Sequence, residues 1–390
     1  MKIVLISILF ILFVSCNDSS ERTTDVRMIC FKDTNKEELK KENIKYEFVQ
    51  LETTDESLLD GIFQIRITED RLFIINQKFD KVLVFNKNGK FIATIGSFGS
   101  GPGEYLSPCA IHIDENNNRI SIADRNRLRL LHYSLDSYQY LSSQPLFNFI
   151  YCTWLSDGNI AWVSTSGYKT DKRESYYVKI TDPSLNLIGY LYPAIFTSSY
   201  GVSSGNLITE YGCNAYLCIP YLPEIQSIKS NCISPVYQFS FDSHHLPSLE
   251  WLKDFASEGA NYAYSLLKSE YISAYNFKET DTFLFLNYIV DKGDVYVCLF
   301  DKEKNITYKY SSSEFSEITD LYGLTAPVCV YNNCFVATIG PGELLNNKDK
   351  IHRSDIKSLT SNISDDDNPI LIYFKFNCTD IVLHIFLLIP

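Results

Sequence analysis

The sequence predicts an all-β fold, a six-bladed β-propeller of four-stranded blades. Three observations lead to it. The 390-residue chain has 27 Tyr and 25 Phe against 2 Met, a composition that favours strands over helices. Short runs of alternating apolar residues occur six times, 40 to 68 residues apart. Each is followed by a second apolar run, and a β unit of this length repeated six times is typical of propeller blades.

The six first runs share a pattern of three to five apolar residues that begins after a turn. They are residues 71–76, 119–124, 159–164, 214–219, 282–287 and 333–338. The second runs are residues 82–86, 128–133, 176–181, 236–241, 295–301 and 370–376. Two consecutive β-sandwiches are the main alternative, but a sandwich gives no reason for six copies of one strand pair.

The ring is predicted to close through the N-terminal end of the propeller, which spans residues 44–378. The sixth unit has candidate strands at 324–330, 333–338 and 370–376, and it lacks an outer strand. Residues 46–51 can supply that strand. Joining the first and last parts of the ring in this way leaves no open gap between blades.

Strand alternation sorts the connections onto two faces. Within each blade, the turns that join the first strand to the second and the third strand to the fourth are short. They lie at 68–70, 115–118, 156–158, 86–89 and 301–304. The other connections hold nearly every long insertion: 96–107, 165–174, 193–206, 220–234, 244–271 and 340–369. Residues 249–267 and 343–359 have helical periodicity. Insertions gathered on one face predict a binding surface, although long loops that merely cap the channel are an alternative.

The N-terminus predicts export and a lipid anchor. Residues 1–15 combine Lys2 with a twelve-residue apolar run, which suits a signal peptide and is short for a membrane span. Phe13-Val14-Ser15-Cys16 resembles a bacterial lipobox, so Cys16 is the predicted lipid attachment site. An ordinary signal peptide with a chance Cys is the alternative. Residues 16–43 are interpreted as a lipidated polar tether, which makes the outer membrane of the cell envelope the predicted location.

Charge and cysteine content narrow the function further. The formal net charge is −12, the wrong sign for a nucleic-acid partner. The ten cysteines besides Cys16 are scattered without a Cys-x-x-Cys pair, so they are interpreted mostly as small buried residues. Residues 379–390 form an apolar tail of unknown role.

Candidate ligand-binding residues fall on the face with the long insertions. Glu104 and Tyr105 end the glycine-rich loop 96–103, and Arg125 and Arg127 can bind a carboxylate or sulfate, or remain solvated. Two loop tyrosines, Tyr200 and Tyr221, could stack on a sugar or anchor a protein partner. No catalytic residue, metal site or cofactor is predicted, and the adjacent pair His244-His245 is a weak metal candidate because neighbours in a strand face opposite ways.

A family resemblance rests on specific residues. The segment Phe79-Asp-Lys-Val-Leu-Val-Phe-Asn-Lys-Asn-Gly-Lys-Phe-Ile-Ala-Thr-Ile-Gly96, followed by Gly99-Ser-Gly-Pro-Gly-Glu-Tyr105, resembles the NHL-like six-bladed propeller lipoproteins of Bacteroides and relatives. The segment Asp366-Asp-Asn-Pro-Ile-Leu371 resembles the end of that family. The resemblance implies the fold over most of the mature chain and implies no common activity.

Two functions remain open from the sequence. The first is a non-enzymatic envelope lipoprotein whose propeller face binds a glycan, a peptide or a partner such as an outer-membrane protein. The second is an NHL-like propeller enzyme, a lyase or hydrolase with a channel metal. The second needs converging His or carboxylates on inner strands, which offer mainly Arg66, His112 and Asp114. We therefore favour binding.

Overall fold

Six antiparallel sheets form the blades of a β-propeller around a central channel. The computed structural model describes residues 26–33, 39–195, 207–219, 221–256, 266, 268–290, 293–324 and 326–376. We name the strands of each blade a to d from the channel outward. The a strands of blades 1 to 6 contact one another in chain order, and that of blade 6 also contacts that of blade 1, so the ring is closed. The fold class predicted from the sequence is confirmed.

The strands a to d of each blade follow the chain, except that strand d of blade 6 comes from the N-terminal end. Blade 1 comprises Ile62–Ile67, Arg71–Asn76, Val82–Asn86 and Phe91–Thr94; blade 2 comprises Pro108–Asp114, Arg119–Asp124, Arg129–Ser134 and Tyr140–Pro145; blade 3 comprises Tyr151–Trp154, Ile160–Lys169, Ser175–Thr181 and Leu187–Pro193. Blade 4 comprises Ile208–Tyr211, Asn214–Cys218, Glu224–Ile228 and Ile233–Phe241; blade 5 comprises Ala274–Glu279, Phe283–Val290, Asp294–Asp301 and Ile306–Ser311; blade 6 comprises Cys329–Tyr331, Cys334–Ile339, Ile370–Phe376 and Ile44–Gln50.

All six of the first runs recognised in the sequence are b strands. Ring closure also occurs as expected: Ile44–Gln50 pairs antiparallel with Ile370–Phe376, in a register that joins Ile44 to Phe376 and Gln50 to Ile370. Aromatic residues pack between blades 5 and 6; Phe285 of blade 5, for example, contacts Phe335 and Phe374 of blade 6.

Blade 4 departs from the prediction. Residues 236–241, expected to be strand c, belong to strand d, and strand c is Glu224–Ile228. The expected insertion 220–234 therefore contains a strand and the c–d turn. Strand c was missed because it carries polar Glu224, Gln226 and Ser227 and lacks an apolar run.

The N-terminal segment corrects the predicted tether. Arg27–Phe31 forms a fifth strand of blade 4, parallel to strand d, with Phe31 opposite Phe241. Phe31 is fully buried and stacks on Phe241 at 5.7 Å between ring centroids. This covering strand turns the outer strand of blade 4 into an interior one, which explains why strand d has the apolar character of a strand c.

Within the described ranges, four α-helices and two single-turn 3₁₀ helices lie in the connections. The α-helices are α1 Leu249–Ala256, α2 Ser312–Thr319, α3 Pro341–Asn346 and α4 Ser354–Thr360, and the 3₁₀ helices are Lys41–Asn43 and Lys348–Lys350. The predicted helix at 249–267 is present as α1, and its remainder lies largely outside the described residues. The predicted helix at 343–359 is divided into α3 and α4. In the part of the chain that the structure describes, none of the helices has the length and apolar character to cross a membrane.

The connections sort onto two faces, as strand alternation predicts, except that residues 229–232 of the expected insertion 220–234 form the c–d turn of blade 4 and lie on the opposite face. We call the end of the channel with the a–b and c–d turns the turn face, and the end with the b–c and d-to-a connections the insertion face. The four described α-helices belong to the insertion face, including α2, which the sequence did not predict. On the turn face the a–b hairpins meet: the Tyr331 hydroxyl donates to the Thr68 carbonyl at 3.2 Å, and the Asp281 amide donates to the Asn333 side chain at 2.7 Å.

Candidate functional site

The channel holds a polar cavity of about 260 Å³ lined by strand a residues of several blades. At its centre, the Arg66 guanidinium of blade 1 binds the Glu210 carboxylate of blade 4 in a bidentate pair, with N–O distances of 2.5 and 2.7 Å. Arg66 Nε also donates to the Ile111 carbonyl of blade 2 at 2.8 Å, and Thr153 of blade 3 donates to Glu210. One ion pair thus ties four blades together across the channel.

Each partner of this pair keeps its charge despite burial. Burial by itself raises the pKa of Glu210, but the Arg66 charge and the hydrogen bonds from Arg66 and Thr153 outweigh it, so the pKa lies below its ordinary value. Burial opposes the charge on Arg66 as well, and Glu210 reverses the effect, raising the pKa of Arg66. Such a pair is costly to break, because removing one partner leaves the other charge without compensation.

The other two inner-strand candidates have structural contacts. The His112 ring stacks on Trp154 with 4.7 Å between centroids, and burial together with the Arg66 charge lowers the pKa of His112 to about 4. Asp114 accepts hydrogen bonds from Asn117 in the a–b turn and from Arg119. Among the described residues no cluster of three or more His, Cys, Asp or Glu is placed to hold a metal ion.

The glycine-rich loop of the insertion face is fixed from within. Arg127 donates to the carbonyl oxygens of Ser100, Gly101 and Glu104, at 2.7, 3.1 and 2.5 Å. The Glu104 carboxylate accepts from the Gly101 amide at 2.5 Å. A side chain at Gly99, where φ is +158°, would meet the Glu104 carboxylate at 2.2 Å. These donors and acceptors of Glu104 and Arg127 are therefore already hydrogen-bonded within the loop.

Tyr105 is a correction to the predicted ligand contacts. Its side chain is fully buried between blades 1 and 2, its hydroxyl donates to Ile95 at 2.7 Å, and it accepts from the Val82 amide at 3.0 Å. A ligand could reach it only by separating the blades. The Arg125 guanidinium lies over the Phe79 ring at 5.4 Å, whereas the Arg127 guanidinium binds carbonyls of the glycine-rich loop.

A second cavity lies on the insertion face, beside blades 3 and 4. We call it the rim cleft; it has a volume of about 490 Å³. Its walls include Tyr192 and Ile195 at the end of blade 3, Tyr221 in the b–c connection of blade 4, and Leu249 at the start of α1. Ile195 and Leu249 are 38% and 41% exposed, so large apolar side chains line an open surface.

Two further features mark the rim cleft. Tyr192 has a φ of +58°, a conformation that costs an aromatic residue free energy and is found disproportionately at functional sites. The pair His244-His245 also lines the cleft, and His244 contacts the Tyr288 hydroxyl at 2.8 Å through Nδ1. Among the predicted ligand-binding residues that the structure describes, Tyr221 lines this cleft.

Several predictions fall outside the described residues: the signal peptide 1–15, Cys16, Tyr200 and the tail 379–390. Nine cysteines lie within the described ranges, and all are free thiols. Four of them, Cys109, Cys152, Cys218 and Cys298, are buried, whereas three are exposed and two are half-buried, so the interpretation as mostly buried residues holds for fewer than half of the nine.

Three residues at or near the channel were not predicted from the sequence: Glu210, Thr153 and Lys278. Glu210 stands in a four-residue strand that had not been recognised, and nothing in its neighbours indicates a partner 144 residues away. Lys278 follows the apolar Phe277 in the strand a of blade 5, where a lysine ordinarily faces solvent.

The closed ring, the channel ion pair and the polarised connections define a six-bladed β-propeller with an elaborated face. Comparison with family models gives the particular family: residues 17–338 match the DUF5128 model, described as a 6-bladed beta-propeller, and the chain belongs to this family. The finer NHL-like assignment stays a prediction. No curated protein matches the chain.

Two crystal structures from Bacteroides are similar to this chain. One is a Bacteroides fragilis protein whose name describes it as exported; it is 29% identical, with a TM-score of 0.81 over 90% of this chain and 99% of that one. The other is a member of the DUF4221 family from Bacteroides vulgatus, 12% identical, with a TM-score of 0.50 over 85% of this chain and 96% of that one. The second likeness concerns the fold alone.

Proposed function

We propose that this protein is a lipid-anchored cell-envelope binding protein, and that its insertion face takes a peptide or a segment of a partner protein in the rim cleft. The observation that carries the proposal is the open apolar lining of this cleft, on the face where all long connections gather. Exposed apolar side chains in a concave site favour an apolar ligand side chain, and they fit a sugar, with its dense hydroxyl groups, less well.

The anchor belongs to the same proposal. The exported relative from Bacteroides fragilis supports passage across the inner membrane, and the lipobox-like residues before Cys16 support acylation. In cells fed a labelled fatty acid, we expect the wild type to take up label and to sediment with membranes, and the Cys16→Ala variant to do neither. A variant that still sediments, beside a wild type without label, rejects the anchor.

Binding is tested with a random-sequence hexapeptide library and a glycan array, both probed with the mature domain. We expect peptides with large apolar side chains to bind, and Ile195→Asp and Leu249→Asp to weaken that binding at least tenfold. Ile188→Asp is the matched control, because Ile188 is 48% exposed and lies near the turn face. Binding of glycans alone, or equal losses in the control, contradicts the peptide assignment.

A further inference from the structure

The channel cavity contains a lysine that the propeller scaffold leaves largely without partners. Lys278, on strand a of blade 5, lines the cavity and exposes 5% of its surface. Its ammonium has three donors. One of them reaches the carbonyl of the preceding residue, Phe277, at 3.3 Å, and no carboxylate of the described residues forms an ion pair with Lys278.

The charges around the cavity do not balance. Its charged lining residues are Arg66, Glu210 and Lys278, and the first two neutralise each other in their bidentate pair. A protonated Lys278 therefore leaves one positive charge in excess. The remaining titratable residues in the lining are tyrosines and thiols. Burial raises the pKa of the Cys109 and Cys329 thiols to about 12, which keeps both neutral.

A buried, uncompensated ammonium is destabilising unless something neutralises it. Burial accordingly lowers the pKa of Lys278 from its ordinary value. Lys302 and Lys309, two other lysines of blade 5, show the contrast, because each forms an ion pair with a carboxylate, Glu279 and Asp33 respectively. Of these three lysines of blade 5, Lys278 lines a cavity, whereas Lys302 and Lys309 each contact an acidic side chain.

We propose that the channel cavity binds a small monovalent carboxylate, whose negative charge is neutralised by Lys278. The volume of about 260 Å³ exceeds that of a few waters and suits an anion of the size of acetate, lactate or a uronic acid. Lys278 is the fifth residue of a strand that runs toward the turn face, and Tyr331 and Gly212 of the a–b hairpins also line the cavity. The site is thus separate from the rim cleft on the insertion face.

The test is thermal unfolding of the mature domain with acetate, lactate and glucuronate at constant ionic strength. Chloride is the salt control, and glucose is the neutral counterpart of glucuronate. We expect at least one carboxylate to raise the melting temperature of the wild type in a saturable manner. Lys278→Met should lower its apparent affinity at least tenfold. The same variant should melt no lower than the wild type without ligand, because it removes a desolvated charge.

Lys87→Met, in the exposed c–d turn of blade 1, is the matched control and should retain the wild-type response. Carboxylates that act no more strongly than chloride and glucose, or an unchanged response in Lys278→Met, overturn the proposal. If Lys278→Met does not fold, the proposal is tested instead by measuring the carboxylate affinity of the wild type as a function of pH. Affinity should fall as rising pH deprotonates Lys278, and a constant affinity from pH 6 to pH 10 overturns the site.

Discussion

The side-chain amide of Asn368 donates to the carbonyl of Glu52 at 2.8 Å, joining residues that are 316 positions apart. Asn368 is 1% exposed and also contacts Ser57 and Leu59, at 2.9 and 2.7 Å. It therefore satisfies three backbone groups where the chain passes from the closing strand of blade 6 into blade 1. This side-chain clasp supplements the strand pairing that closes the ring.

Asn368→Ala should destabilise the whole propeller. It leaves buried donors and acceptors without partners, at a cost of about 1–3 kcal/mol for each group. Asn347→Ala is the control, since Asn347 forms an exposed hydrogen bond to Glu343 in α3. Urea unfolding measures both variants, and equal midpoints would show that Asn368 does not hold the closure.

Phe31→Ala should cost about 3–5 kcal/mol, because it empties a fully buried site between the N-terminal strand and blade 4. Met28 lies on the same strand and is 65% exposed, so Met28→Ala should change stability by about 0.5 kcal/mol or less. A comparable loss in the two variants would mean that the strand does not dock as described.

Arg127→Ala should loosen the glycine-rich loop while leaving the blades intact. Three carbonyl contacts disappear with the guanidinium, and Arg127→Lys should restore little, because one ammonium cannot reproduce the planar fork of donors. Hydrogen exchange of the amides of residues 97–105 measures the effect. Arg125→Ala, which removes the contact with Phe79 instead, should leave that exchange unchanged.

His112 should make the protein less stable in mild acid. Its pKa is about 4 in the folded protein, below the ordinary 6.5, so the unfolded chain binds more protons between these values. Stability therefore rises with pH across this window and is lost as pH falls toward 4, by at most about 3 kcal/mol from this group. Arg66, Glu210, Asp114 and Arg119 are the charged groups that act on the ring.

His112→Phe keeps an aromatic ring on Trp154 and removes the titration. The difference in free energy of unfolding between wild type and variant should therefore shrink or reverse as pH is lowered from 7 to 4.5. Urea unfolding at several pH values measures it, and parallel pH curves for the two proteins would show that His112 does not titrate as described.

Most strands of the blades could be predicted from the sequence, whereas the roles of the polar residues in the cavities could not, and the reason is physical. Strands b and c, such as Arg71–Asn76 and Val82–Asn86, are buried on both faces, so their apolar runs stand out in the sequence. The role of a polar residue depends on partners distant in the chain, as with Arg66 and Glu210. Tyr105 shows the limit clearly: its position beside a glycine-rich loop suggested exposure, and the fold buries it between blades.

The error in blade 4 has the same origin. Strand order was inferred from local apolar content, and Phe239 and Phe241 owe their burial to a strand more than 200 residues earlier. The predicted faces were correct for most connections, because alternation of strand direction depends only on counting strands; the missed strand of blade 4 put its c–d turn, residues 229–232, on the wrong face. The rim cleft follows from that sorting, whereas the channel cavity required the positions of all six a strands.

The paired strands Ile44–Gln50 and Ile370–Phe376 also set an order of events during synthesis. The N-terminal strand can be made early, but it has no partner until blade 6 leaves the ribosome, some 320 residues later. Bringing such distant segments together is entropically costly and slows folding. The last step is therefore postponed until residues 370–376 have been made, and until then the chain exposes unpaired strand edges that favour misassembly.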